Sequence, residues 1–213
     1  MEVLRRSSVF AAEIMDAFDR SPTDKELVAQ AKALGREFVH ARLLRAGLVW
    51  SAPERVPPAP GGRLAEVCTV LLRLGDELEL IRPSIYRNVA RQLSLSLQSE
   101  SAVTEAFLAV AAQIFVAGIT WGKVVSLYLV AAGLAADCVR QAQPALVHAL
   151  VDCLGEFVRK TLAAWLRRQG GWTDVLKCVV SSEPGFRSHW LVAALCSLGR
   201  FLKAAFFVLL SDR

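Results

Sequence analysis

The chain has 213 residues, enough for one domain with its own core. Hydrophobic residues make up 54% and mean hydropathy is +0.39, so some apolar surface is expected to meet something besides that core. The net charge is +5, and all of the excess lies in residues 155–213, with nine basic and four acidic side chains; residues 1–154 balance at sixteen each. A basic end beside apolar sequence suits an anionic membrane surface, with a solvated helix face as the plainer alternative. Nucleic acid is disfavoured as a partner, because no dense basic stripe, zinc-finger or RNP pattern is present.

Met1 to Phe10 carries Arg5 and Arg6 but no apolar run long enough for a secretory signal, so a cytosolic start is expected. Cys68, Cys138, Cys153, Cys178 and Cys196 are odd in number and widely spaced. Free, mostly buried thiols explain them better than disulfides or zinc.

Helical periodicity dominates the chain. Val9, Phe10, Ile14 and Phe18 suggest a short first helix or arm. Ser21-Pro22-Thr23-Asp24 is a helix start, with Ser21 as cap and Pro22 as first helical residue. Leu27, Ala31, Leu34, Phe38 and Ala41 then share one face, and Gly47 is the expected stop. Residues 50–62 hold Pro53, Pro57, Pro58, Pro60, Gly61 and Gly62, half of all the prolines, which predicts an exposed mobile loop within the bundle.

Leu64, Val67, Leu71, Leu74, Leu78 and Ile81 resume in steps of three and four, a narrow apolar seam that Arg82-Pro83 ends. A shorter helix around Ser84 to Leu95 follows. Ser99 to Gly118 predicts another, with Val103, Phe107, Val110 and Ile114 inside. Trp121 to Val139 is apolar all round, with Lys123 and Asp137 as its only charges. Such a helix is either central in a bundle or membrane-inserting. Pro144 to Gln169 predicts the next helix, Gly170-Gly171 breaks it, Trp172 to Val180 predicts a short helix, and Ser182 to Gly185 a turn.

The last apolar stretch, Trp190 to Leu210, is long enough to span a bilayer but contains Arg200 and Lys203. Eleven Leu, Val or Phe residues at roughly −0.3 to −0.6 kcal/mol offset two basic residues at roughly +2.5 to +3.5 kcal/mol. The sum is near zero, so this is a marginal anchor, able to dock in a groove, lie at an interface or insert. The expected division is a helical bundle over 1–186 and a membrane-anchor segment over 187–213.

The densest constellation is Leu71-Leu72-Arg73-Leu74-Gly75-Asp76-Glu77-Leu78. Val67, Leu71, Leu74 and Leu78 form an apolar stripe, Gly75 is a flat spot for a close backbone approach, and Asp76 edges the stripe, where a basic partner would pair with it. An apolar stripe alone is usually core. Here, though, the Leu-x-x-x-Gly-Asp pattern resembles the third homology motif, the death helix, of the Bcl-2 family. Gly118-Ile119-Thr120-Trp121-Gly122-Lys123 resembles the first motif of that family, and Trp165 to Trp172, with Gly170 and Gly171, resembles the second. Thr23 to Leu44 is compatible with the fourth. The motifs stand in the order of the family, and the resemblance covers essentially the whole chain.

The resemblance implies an all-α bundle of about eight helices around a central hydrophobic hairpin, with a hydrophobic tail helix. It implies a pro-apoptotic effector that exposes its death helix, self-associates and permeabilises the mitochondrial outer membrane. Implied partners are other copies of itself, other Bcl-2 family proteins and an anionic lipid bilayer. Implied locations are the cytosol, the mitochondrial outer membrane and the endoplasmic reticulum. A pro-survival groove binder of the same family and a constitutive tail-anchored adaptor are the alternatives. Two departures stand out. Thr120 and Lys123 replace the usual Asn and Arg of the first motif, and Lys lacks the planar two-pronged contact of Arg, which predicts weaker capture of partner helices. Gly75 costs about 1 kcal/mol relative to Ala in a helix, which predicts that Gly75→Ala raises the melting temperature and slows pore formation.

Nothing in the sequence suggests catalysis, a metal site or a cofactor. There are three histidines, His40, His148 and His189, and His148 with Asp152 one turn later suits a surface pair. No nucleophile elbow or phosphate-binding glycine loop occurs.

Overall fold

A computed structural model describes residues 22–51, 61–81, 86 and 99–180. The first arm, Ser21, the prolines of the 50–62 loop, the Arg82-Pro83 stop, the Ser84–Leu95 helix apart from Tyr86, and residues 181–213 lie outside the described residues. The tail residues Trp190, Arg200, Lys203 and Leu210 and the division at 186/187 therefore lie outside them too. Among the described residues the structure is all-α, with no strand.

Helix α1 spans Asp24–Arg45. It is capped by Thr23, not Ser21. The Thr23 hydroxyl accepts from the Glu26 amide at 3.3 Å, and Glu26 accepts from the Thr23 amide at 2.7 Å. Ser21 has only the shorter Asp24 at the corresponding position, whereas Thr23 has a glutamate that reaches back, so the reciprocal box forms two residues later than expected. Gly47 ends the helix as expected. At φ 70° it lets the Leu48 amide bond to Leu43 at 2.9 Å and its own amide bond to Leu44 at 3.0 Å.

Helix α2 spans Arg63–Ile81 and buries Val67, Cys68, Leu71, Leu74, Gly75 and Leu78. Its expected seam frays at both ends, with Leu64 partly buried and Ile81 exposed. Helix α3, Glu100–Phe115, starts on Ser99, whose hydroxyl accepts from the Ala102 amide, and buries Val103, Phe107, Val110 and Ile114. Helix α4, Trp121–Arg140, is the hub. It is long and apolar enough to cross a membrane, yet 89% of its most apolar window is buried inside the bundle. Helices α1, α2 and α3 all pack on it.

The expected Pro144–Gln169 rod begins at Leu146 and is continuous but not uniform. Helix α5, Leu146–Phe157, runs through a π turn at Val158–Leu162 into α6, Ala163–Gln169. The Ala163 amide bonds to the Val158 carbonyl, five residues back. This wider turn places Arg159, Lys160 and Thr161 in solvent together and returns Leu162 and Ala163 to the core. A 3-10 turn at Trp172–Leu176 and a short α7, Lys177–Val180, complete the described chain.

Candidate functional site

The death-helix stripe is core in this structure: Leu71 and Leu78 are 0% exposed, and α2 lies against α1 and α4. The polar edge beside that stripe is already occupied. Asp76 pairs with Arg45 and, at 3.0 Å, with Arg42. Arg42 also donates to Glu79 at 2.7 Å and to the Leu72 carbonyl at 3.2 Å. The Arg42 guanidinium lies 5.1 Å from the centroid of the Phe38 ring. The basic partner expected for Asp76 therefore comes from α1 of the same chain.

Arg42 is buried, and burial pulls its pKa below the ordinary arginine value, with Glu79 and Asp76 pulling it back up. A buried cation is tolerated only with such partners. The sequence reading missed Arg42 and Arg45 because it carried the α1 stripe on through Ala41, which is only partly buried. The signal was present. Arg42 follows Phe38 by four residues, and an arginine on a core stripe demands carboxylates opposite it.

Gly75 faces Arg42 and Phe38 of α1. A Cβ there would lie 2.4 Å from Arg42 Nη2 and 3.0 Å from Phe38 Cζ. A collision with a pinned guanidinium and a fully buried ring is thus set against the helix-propensity gain, so Gly75→Ala is expected to destabilise rather than stabilise the fold.

The first and second motifs meet at an aromatic joint. Trp121 lies edge-on to Trp165 at 5.0 Å between centroids and tilted to Trp172 at 5.9 Å, and Trp172 lies edge-on to Tyr128 at 5.9 Å. Trp121 Nε1 donates to Asp174 at 2.8 Å, and Trp172 Nε1 donates to the Leu27 carbonyl at 3.0 Å. Burial pushes the Asp174 pKa up, but hydrogen bonds from Lys177 and Trp121 outweigh it and hold the group below 3.8. The Gly-Gly of the second motif follows from backbone geometry. Gly170, at φ 90°, lets the Gly171 amide bond to Leu166 at 2.8 Å, and Gly171 adopts φ 94°, ψ −165°, a region open essentially only to glycine. These two residues turn Trp172 back into the core. Asp174 was not singled out in the sequence; the only hint was its place two residues after Trp172.

In the first motif, Gly118 turns the chain at φ 90° and Thr120 caps α4, its hydroxyl accepting from the Lys123 amide. Gly122 is buried beneath it, and its carbonyl accepts from the Ser126 hydroxyl at 2.9 Å. Thr120 thus serves the capping role open to the usual Asn. Lys123 is buried, and its ammonium donates to the Gly118 carbonyl at 2.9 Å. Burial alone lowers its pKa.

The histidine pair does not form. Asp152 binds Lys32 at 2.8 Å, and the His148 ring lies against Trp50 at 5.4 Å. Cys68, Cys138, Cys153 and Cys178 are free, and burial pushes the Cys68 thiol up to about 11, away from reactivity. Among the described residues no group of three or more His, Cys, Asp or Glu side chains is placed to hold a metal ion.

Residues 71–172 match the family model for apoptosis regulator proteins of the Bcl-2 family. The chain is 87% identical to the Bcl-2-related ovarian killer protein of Mus musculus over 213 residues, covering all of both chains. It is similar in structure to the crystal structure of chicken BOK, with a TM-score of 0.67 and 73% identity over 74% of this chain and 99% of that one. The solution NMR structure of human BOK gives a TM-score of 0.66 and 84% identity over 74% of this chain and all of that one. With the motifs in order, the aromatic joint assembled from two of them and a relative this similar over its whole length, the chain belongs to the Bcl-2 family of apoptosis regulators.

Proposed function

We propose that this apoptosis regulator is a pro-apoptotic effector. It acts without catalysis, by releasing α2 from α1, self-associating through the freed helix and the groove of a second copy, and laying apolar helices into the mitochondrial outer membrane. The observation that carries this reading is the α1–α2 junction. A death-helix stripe is held shut by a small polar cluster around one buried arginine, so its release exposes Leu71, Leu74 and Leu78 at once. The apolar α4 supplies a helix suited to lipid once the bundle opens. Full-length similarity to a protein named as a killer favours the effector over the pro-survival alternative.

The reading places the protein in the cytosol and on intracellular membranes, the mitochondrial outer membrane and the endoplasmic reticulum, with residues 187–213 as the anchor behind a bundle over 1–186. The lipid partner is an anionic bilayer. Lys123, tied to its own loop, gives partner death helices a poorer ionic contact than arginine would.

The test is dye release from liposomes of mitochondrial outer-membrane composition, with and without a death-helix peptide. Release that is lost when Leu71 and Asp76 are replaced supports the effector. No release, together with suppression of leakage caused by another effector, assigns the pro-survival role instead.

A further inference from the structure

A cavity of about 380 Å³ lies behind the α1–α2 junction, lined by Arg42 and Arg45 of α1, Asp76 and Glu79 of α2, Tyr86, and one face of α4 that includes Ala136 and Arg140. The volume is that of a small-ligand site. Its floor on α4 is Leu129, Ala132, Gly133 and Ala136, an apolar surface with little side-chain bulk. Its charged wall holds three guanidiniums against two carboxylates.

The three arginines differ in how firmly they are committed. Arg42 is buried and bound to Glu79, Asp76 and the Leu72 carbonyl. Arg45 and Arg140 are half-exposed, at 54% and 46%, and each binds one carboxylate through Nη1, Asp76 and Asp137 respectively. A guanidinium has five N–H donors, so both retain donors for another oxygen. Asp76 keeps Arg42 if Arg45 turns toward a ligand, so no carboxylate on α2 is orphaned by the exchange.

We propose that this cavity is a binding site for an amphipathic organic anion, a carboxylate or phosphate monoester with a short apolar body. The body lies on Leu129, Ala132 and Ala136, and the anionic head sits between Arg45 and Arg140 in charge-assisted hydrogen bonds. The cavity exists only while α2 supplies its Asp76 and Glu79 wall against α1 and α4, that is, while the bundle is closed. By mass action such a ligand therefore favours the closed state. Binding itself does not depend on the effector reading; only its consequence, slower membrane release, rests on that reading.

The experiment is isothermal titration of the full chain with decanoate below its micellar concentration, with decylamine and 1-decanol as controls, on wild type, Arg140→Gln and Ala136→Leu. Arg140→Gln removes a half-exposed head contact, and Ala136→Leu fills the floor, so the two variants attack binding by different routes. Saturable decanoate binding is expected, with affinity reduced about tenfold or more in each variant and little binding of the amine. Equal binding of amine and carboxylate, or unchanged affinity in both variants, overturns the proposal. Binding only to vesicles containing an anionic lipid, lost in the same two variants, supports the site and assigns its ligand to the membrane. Binding of dissolved decanoate supports it and assigns a soluble ligand. No saturable binding in either form overturns it. Slower dye release with decanoate in wild type but not in the variants tests the consequence separately.

Discussion

Replacing Gly75 by Ala sets two known effects against each other in one methyl group. In an exposed helix the change stabilises by about 1 kcal/mol. At this position the new Cβ would lie 2.4 Å from Arg42 Nη2 and 3.0 Å from Phe38 Cζ. Phe38 has no room to retreat, being fully buried and edge-on to Tyr128 at 5.6 Å. Arg42 can yield only by giving up its bond to the Leu72 carbonyl, a charged-donor contact of about 1.5–3 kcal/mol. Overpacking of this kind costs about 1–3 kcal/mol.

After the propensity gain, Gly75→Ala is expected to destabilise by about 1 kcal/mol, a fall of roughly 2–4 °C for a chain of this size. Thermal unfolding followed by circular dichroism reads this directly, and a double-mutant cycle with Arg42→Ala locates the cause. With the guanidinium gone, most of the Gly75→Ala penalty should vanish. A higher melting temperature, or the same penalty in both backgrounds, would refute the reasoning.

Three further outcomes follow from the same structure. Leu71→Ala should cost about 2–5 kcal/mol in denaturant unfolding, since Leu71 is fully buried on the stripe. Gly171→Ala should cost about 1–3 kcal/mol, because its φ of 94° is strained for alanine and the methyl would sit 3.2 Å from Pro22 Cγ; the same change at exposed Glu105 should have little effect. The carboxyl of Asp174 is held below 3.8, so its contribution is complete above that pH and is lost as pH falls through the depressed value. Tryptophan emission should therefore change at lower pH in wild type than in Lys177→Gln, which lacks one of the hydrogen bonds holding the pKa down.

The legible and illegible parts of the sequence divide along a physical line. Periodicity located α4 and the start of α3 within a residue, because their apolar faces repeat without interruption and Ser99 and Thr120 are strong caps, but it carried α3 on to Gly118, three residues past its end at Phe115. It located the seam of α2, and Gly47 and Gly170-Gly171 as stops, because left-handed backbone needs glycine. It misplaced the α1 cap, since two candidate caps two residues apart differ only in which acidic side chain reaches back. The π turn at Val158–Leu162 left no mark in the pattern, because one extra residue in a turn still leaves apolar residues facing inward.

The polar contacts were the least legible. The pairing of Arg42 with Glu79 and of Trp121 with Asp174 spans 37 and 53 residues, and no local rule links positions so far apart. That is also why helix propensity alone takes no account of Arg42 and Phe38 beside Gly75. Helix propensity is a local property, whereas the space beside Gly75 is set by α1.

The central claim, that α2 leaves α1 before the membrane leaks, is tested most directly by time-resolved hydrogen exchange on the full chain after mixing with liposomes of mitochondrial outer-membrane composition, with dye release recorded in parallel. The amides of residues 71–78 are expected to lose protection no later than dye escapes, and earlier in Arg42→Ala than in wild type. Dye release while those amides remain protected would contradict the account.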